Sequence, residues 1–172
     1  MTAIVAVQDR DRVVMGGDSA ITDDGGGQIV IRDPKVFRLG GYLVGVAGGV
    51  AWGDELIWLT WPADPCDLWV RREMIAAHRA ACRASGVSYD DSDSDGEAVI
   101  AGGGHLWVYH SGAVTRPADD YAVAGMGGIV AQGALWASRD YPPRVRARMA
   151  LEAAARYCSS VRPPFRYLSR GH

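Results

Sequence analysis

Apolar positions in the first fifty residues come in short runs rather than at helical spacing. Ala3 to Val7 and Arg12 to Met15 flank the polar turn Gln8-Asp9-Arg10-Asp11, which predicts a hairpin beginning almost at the N-terminus. A strand so close to the chain start is unusual, because termini ordinarily fray. Gly16-Gly17-Asp18 ends the second strand and the glycine-rich stretch Gly25-Gly26-Gly27 follows as a loop. Gln28 to Ile31, Lys35 to Leu39 and Tyr42 to Ala47 read as further short strands.

From Val50 the period changes. Trp52, Leu56, Ile57 and Leu59, then Leu68, Ile75 and Cys82 with their neighbours, fall at three-to-four spacing. They predict helices over about 50–61 and 67–84, parted by Pro62 and Pro65. Ser85 to Glu97 is polar and acidic, hence a loop. Strand character returns at Glu97 to Ala101, His105 to Tyr109, Ala113 to Arg116 and Tyr121 to Ala124. Gly127 to Ser138 and Arg144 to Ser159 are helical, the second entered through Pro142-Pro143, where proline suits a helix start. After Pro163-Pro164 the tail shows little pattern. Strands, two helices, strands and two helices in that order imply an α+β fold, a four-layer α-β-β-α sandwich. No internal repeat or long linker divides the chain, so residues 1–172 read as a single domain.

Composition agrees with that picture. At 172 residues, 48% apolar and 22% charged, the chain can bury a substantial core and is not broadly disordered. The 22 glycines suit tight turns and close backbone approaches rather than a helical bundle. A net charge of −2 argues against a nucleic-acid coat. No apolar run of about 18 residues occurs, and no basic segment leads into an apolar one, which disfavours a membrane span and a secretion signal. Cys66, Cys82 and Cys158 are odd in number and form no CxxC pair, so neither disulfides nor a zinc ribbon is expected, and a reduced, cytoplasmic setting suits them. From Arg139 onward eight arginines face only Asp140 and Glu152, an excess of about +6 that leaves about −8 on the rest. That asymmetry describes either a solvated helix face or a contact between the basic end of one subunit and the acidic middle of another.

Four features could serve one active site. Thr2 becomes the first residue once Met1 is removed, as is usual before a small second residue. Such a residue carries both a nucleophilic hydroxyl and, in its α-amine, a base with a reference pKa of about 7.7–8.0. Asp18 follows two glycines at the end of the neighbouring strand, and Lys35 follows Asp33-Pro34 at the start of another. An ammonium there would stabilise the threonine oxygen as its proton leaves and keep the α-amine neutral, with Asp18 holding the lysine. Ala47-Gly48-Gly49 ends a strand before a helix, where a bare N–H can face a developing oxyanion. Each feature alone is commonplace; their order and spacing are less so.

On these residues the chain resembles the proteasome β-type peptidases, and among them the bacterial HslV (ClpQ) kind. The matching text is Thr2-Ala3-Ile4-Val5-Ala6-Val7, Arg12 through Asp18, Lys35-Val36-Phe37-Arg38-Leu39 and Val46-Ala47-Gly48-Gly49. More loosely, Tyr121 through Gly128 and Ala131-Gln132 also agree. The resemblance implies an N-terminal nucleophile hydrolase: a threonine-type endopeptidase enclosed in a self-assembled homo-oligomeric ring, fed polypeptide by an ATP-dependent unfoldase. It implies Thr2 as nucleophile, Lys35 and Asp18 as its activators and Gly48 as oxyanion donor. No cofactor is implied, beyond room for a structural monovalent or divalent cation. Three departures stand out. Met126 occupies the serine position of the Gly-x-Gly-Gly turn, Arg156 aligns with an expected aspartate, and Lys35 lies one residue further from Thr2 than is typical. The first two motivate an alternative, a catalytically decayed ring or scaffold subunit of the same fold. A small-amide amidase is a further alternative.

Other signals are weaker. Asp91-Ser92-Asp93-Ser94-Asp95-Gly96 begins like a calcium loop, but Gly102 stands where the bidentate glutamate belongs, so a solvated acidic loop is the reading. His78, His105, His110 and His172 have no metal-ligand spacing, and Gly102-Gly103-Gly104 lacks the Lys-Ser/Thr of a phosphate loop. Trp52, Trp58, Trp61 and Trp69 crowd the first helical pair, as core or subunit-contact residues. No alternation of basic and aromatic residues suggests nucleic acid.

Overall fold

The computed structural model describes residues 2–10, 12–22, 26–89 and 96–171. In chain order the first half contains β1 (Ile4–Gln8), β2 (Arg12–Gly17), β3 (Ala20–Thr22), β4 (Gln28–Val30), β5 (Val36–Leu39) and β6 (Tyr42–Gly48). Helices α1 (Val50–Ile57) and α2 (Met74–Ser85) follow, the latter preceded by a π-turn at Trp69–Glu73. The second half contains β7 (Gly96–Gly102), β8 (His105–His110), β9 (Ala113–Thr115), β10 (Tyr121–Ala124), α3 (Gly128–Ala137), α4 (Pro143–Tyr157) and β11 (Arg166–Gly171). One sheet runs β10-β1-β2-β11 and the other β5-β6-β7-β8-β9, both antiparallel, with β3-β4 as a small separate ribbon.

Three apolar layers hold four structural layers together. In β1 neither face is polar: Ala3, Val5 and Val7 meet Ala131, Leu135, Ala150 and Leu151 of α3 and α4. Ile4 and Ala6 point the other way, into the space between the sheets, with Val13, Met15, Leu43, Val99 and Ala101. The outer face of the five-stranded sheet presents Tyr42, Val44, Ile100, Trp107 and Tyr109 to Trp52 and Leu56 of α1 and Met74 of α2. A two-residue side-chain period makes this possible, since successive residues of one buried strand serve two different cores. The four-layer α-β-β-α sandwich is therefore the fold.

Within the α1–α2 layer His78 is fully buried, its Nε2 3.0 Å from the Trp52 carbonyl and its Nδ1 3.0 Å from the Tyr109 hydroxyl. A carbonyl only accepts, so Nε2 carries the proton and Nδ1 accepts from Tyr109. Tyr109 in turn lies 2.6 Å from the Tyr89 hydroxyl. Burial lowers the His78 pKa, and the Trp52 hydrogen bond opposes that shift.

Several expected boundaries move. α1 stops at Ile57 instead of reaching 61: the Trp58 N–H donates to the Asp54 carbonyl at 3.1 Å, the Leu59 N–H tightens onto the Leu56 carbonyl at 3.4 Å, and Trp61 is left outside the helix. Its indole N–H instead donates to the Leu56 carbonyl at 3.2 Å. The patternless tail is a strand: β11 pairs with β2, placing Leu168 opposite Met15. Ala20–Thr22, to which the sequence pattern assigns no element, is a strand paired with β4. Of the four clustered tryptophans, Trp52 and Trp61 are buried and Trp69 is partly so, while Trp58 is 82% exposed. The calcium-like run up to Asp95, together with Met1, Gly25 and His172, lies outside the described residues. Cys66, Cys82 and Cys158 form no disulfide. Among the described residues no cluster of His, Cys, Asp or Glu could hold a metal, and no helix is long and apolar enough to cross a membrane.

Candidate active site

Strand pairing brings the sequence-predicted residues to one end of the sandwich. Ile4 opposes Gly17 across the β1–β2 hairpin, so the next residues, Ala3 and Asp18, face each other. The Asp18 N–H donates to the Ala3 carbonyl at 3.2 Å, and the Ala3 N–H returns a bond to Asp18 Oδ1 at 3.1 Å. Lys35, just before β5 in the other sheet, crosses the interlayer space to meet them. Its Nζ lies 2.8 Å from Thr2 Oγ1 and 2.9 Å from Asp18 Oδ1, and also donates to the Ala20 carbonyl. Thr2, Asp18 and Lys35 are 5%, 1% and 7% exposed, so this ion pair is held almost without water.

Every polar atom of the pair is accounted for. An ammonium has three N–H donors, and Lys35 directs them at three oxygens. The Asp18 carboxylate accepts from Lys35 and Ala3 on one oxygen, and from the Ala20 N–H (3.0 Å) and Arg162 N–H (3.4 Å) on the other. Such satisfaction is what makes a buried charge pair tolerable. Burial pulls the Lys35 pKa below the ordinary lysine value, and the charge and hydrogen bond of Asp18 pull it back up. The result is a cation whose proton is more readily lost than that of a free lysine, aimed at a hydroxyl.

Thr2 also lines a cleft of about 720 Å³ whose other walls include Ile31, Val46, Gly48, Gly49 and Trp58. Gly48 ends β6 with φ +104°, and Gly49 begins α1 without a side-chain cap. Gly48, Gly49 and Val50 line the cleft where α1 begins, and a helix start carries N–H groups without partners inside the helix, a setting suited to an oxyanion. The four predicted residues Thr2, Asp18, Lys35 and Gly48 are thus brought together.

Behind Thr2 lies the turn Gly125-Met126-Gly127-Gly128. Gly127 donates its N–H to the Thr2 carbonyl at 3.0 Å. A Cβ on Gly125, whose φ is +79°, would sit 2.3 Å from that same carbonyl oxygen. Met126 itself is 63% exposed and carries no polar group. Arg156 lies on the exposed face of α4, and the aspartate-like position it was aligned with is not represented among the partners of Thr2, Asp18 or Lys35. The contact from that part of the chain is instead the main-chain N–H of Arg162. Sequence reasoning missed three parts: the Ala20 carbonyl, the Arg162 N–H and Glu97. The first two are backbone groups without a residue signature. Glu97 left a faint one, as a single ionisable residue opening the apolar run Ala98-Val99-Ile100-Ala101.

No protein-family model and no curated protein sequence matches the chain. Solved structures do. The BPH of Thiobacillus denitrificans, in complex with epoxomicin, superposes with a TM-score of 0.79 at 18% identity over 98% of both chains. HslV from Trypanosoma brucei gives 0.75 at 19% identity over 99% of both. Anbu from Pseudomonas aeruginosa, solved as a helical assembly, gives 0.71 at 17% identity, over 98% of this chain and 81% of that one. The fold is that of the proteasome-like N-terminal nucleophile hydrolases, as the sequence resemblance implies.

Proposed function

We propose that the protein is a threonine-type endopeptidase in which Thr2, freed by removal of Met1, attacks peptide carbonyls inside a self-assembled ring. One observation carries the reading: the buried Lys35 ammonium lies 2.8 Å from Thr2 Oγ1 while Asp18 holds it at 2.9 Å. Because all three Lys35 N–H groups already donate, the ammonium can lower the cost of forming the alkoxide but cannot receive its proton. The α-amine of a first-position Thr2 is the base, with a reference pKa of about 7.7–8.0. The hydroxyl oxygen then adds to the scissile carbonyl, whose developing charge is met by the Gly48 N–H. The amine passes its proton to the leaving nitrogen. Water, deprotonated by the same amine, releases the acyl group and restores Thr2.

The whole chain would form one peptidase domain, acting in the cytoplasm on polypeptide delivered by an ATP-dependent unfoldase. A second reading, a ring or scaffold subunit without catalysis, is favoured by Met126, which brings no hydroxyl to the turn behind Thr2. One experiment separates the two. The purified protein is weighed for loss of Met1, then incubated with unfolded protein, short peptides and epoxomicin, the compound bound in the BPH structure. An adduct on Thr2 and cleavage abolished by Thr2→Ala support the peptidase. A retained Met1 with neither adduct nor cleavage supports the scaffold.

A further inference from the structure

We infer that Glu97 is a positioning residue for Thr2, acting through the turn at Gly125-Met126-Gly127-Gly128. The inference rests on reading Thr2 as the nucleophile. Glu97 stands at the start of β7, opposite Ala47 of β6, and therefore at the cleft end of the five-stranded sheet. Its Oε2 accepts the Gly125 N–H at 2.7 Å, while Oε1 lies 3.4 Å from His110 Nε2 on β8. Thr2 belongs to the opposite sheet. The turn between them is held by Glu97 at Gly125, and two residues later holds the Thr2 carbonyl through the Gly127 N–H at 3.0 Å. A further bond from the Gly128 N–H to the Gly125 carbonyl, at 2.8 Å, keeps the turn in one shape.

The path is short and stiff. The ideal Cβ positions of Gly125 and Gly127 fall 2.3 Å from the Thr2 carbonyl oxygen and 2.7 Å from Ala3 Cβ, so turn and strand start lie in direct contact. A shift of the turn is therefore a shift of Thr2. Met126 carries no side-chain group able to hold the turn, and the Glu97 carboxyl oxygen, bonded to the Gly125 N–H, is its side-chain anchor. Glu97 touches neither the hydroxyl nor the cleft's reacting atoms, and its effect is on where Thr2 stands.

The test compares Glu97→Ala with Glu97→Gln, whose amide oxygen can still accept from Gly125. Kinetics on a fluorogenic peptide and the rate of Thr2 labelling by epoxomicin are measured, together with amide hydrogen exchange at residues 125–128. Glu97→Ala should lower kcat and the labelling rate by about 10- to 100-fold with KM nearly unchanged, because displacement by a fraction of an ångström spoils attack geometry without emptying the cleft. Glu97→Gln should recover most of that loss. A wild-type kcat in Glu97→Ala, or equal losses in both variants, overturns the inference. If the wild-type chain itself neither cleaves nor labels, the peptidase reading fails separately, and amide exchange decides. Faster exchange at Gly125 and Gly127 in Glu97→Ala alone supports the anchoring role; equal protection in all three proteins overturns it.

Discussion

Replacing Gly125 by alanine collides a methyl group with the main chain of Thr2. The added Cβ would lie 2.3 Å from the Thr2 carbonyl oxygen and 2.9 Å from its carbonyl carbon, and no side-chain rotation can relieve it. Restoring ordinary contact requires the two segments to part by about 1 Å. The backbone at φ +79° adds a cost of about 1–2 kcal/mol for any residue with a Cβ. Gly104→Ala provides the control, because its φ of +76° is nearly the same while nothing lies within 4 Å of its Cβ. In urea unfolding, Gly104→Ala should lose about 1–2 kcal/mol and Gly125→Ala more. Labelling by epoxomicin separates them further. Gly104→Ala should react at the wild-type rate, whereas an ångström of misplacement at the nucleophile should slow Gly125→Ala about 100-fold. A Gly125→Ala protein that labels as fast as wild type would show that the turn does not set the position of Thr2.

Three further outcomes follow from the geometry. The kcat/KM profile should rise as the Thr2 amine deprotonates, below its reference range of about 7.7–8.0 because the Lys35 ammonium disfavours a second positive charge beside it. It should fall on the alkaline side as Lys35 loses its charge. Since burial lowers the Lys35 pKa, that fall should come before the ordinary lysine value of about 10.4; a plateau running past it would contradict the role of the ammonium. Leu151→Ala should destabilise the fold by about 2–5 kcal/mol, because Leu151 is fully buried between α4 and the four-stranded sheet. The urea midpoint reads this, and a loss under about 1 kcal/mol would show a site able to collapse. His78 should make the protein less stable as pH falls below about 6.5, because the unfolded imidazole takes up a proton at higher pH than the buried one. The slope of unfolding free energy against pH should flatten in His78→Phe, and an unchanged slope would assign acid sensitivity elsewhere.

The parts of the fold legible in the sequence are those whose burial is written in side-chain type. Ala3 to Val7 has no polar position on either face, and only a strand covered on both sides explains that. Thr2, Asp18 and Lys35 were legible because their chemistry is rare in combination even though each residue is ordinary. β11 was not, since Arg-Tyr-Leu-Ser-Arg-Gly is half-exposed along its length and shows no clean alternation. Its pairing is fixed by β2, more than 140 residues away in sequence, an influence that no local window contains. Glu97 escaped for a related reason. Its partner is a backbone N–H in a turn 28 positions later, and nothing about a glutamate before an apolar run announces that connection.

The order β10-β1-β2-β11 draws one sheet from both ends of the chain. Asp18 reaches its full set of donors only with the Arg162 N–H, while Ser19 bonds the Arg162 carbonyl at 3.0 Å and the Pro164 carbonyl at 2.5 Å. While translation is under way the first strands must wait for the last, and long-range pairing of this kind is slow to form. A ribosome-bound nascent chain therefore cannot complete the hydrogen bonds around Asp18 and Ser19 until Arg162 to Pro164 have cleared the exit tunnel. The surroundings of Asp18 are in this way tied to the synthesis of residues 144 positions downstream.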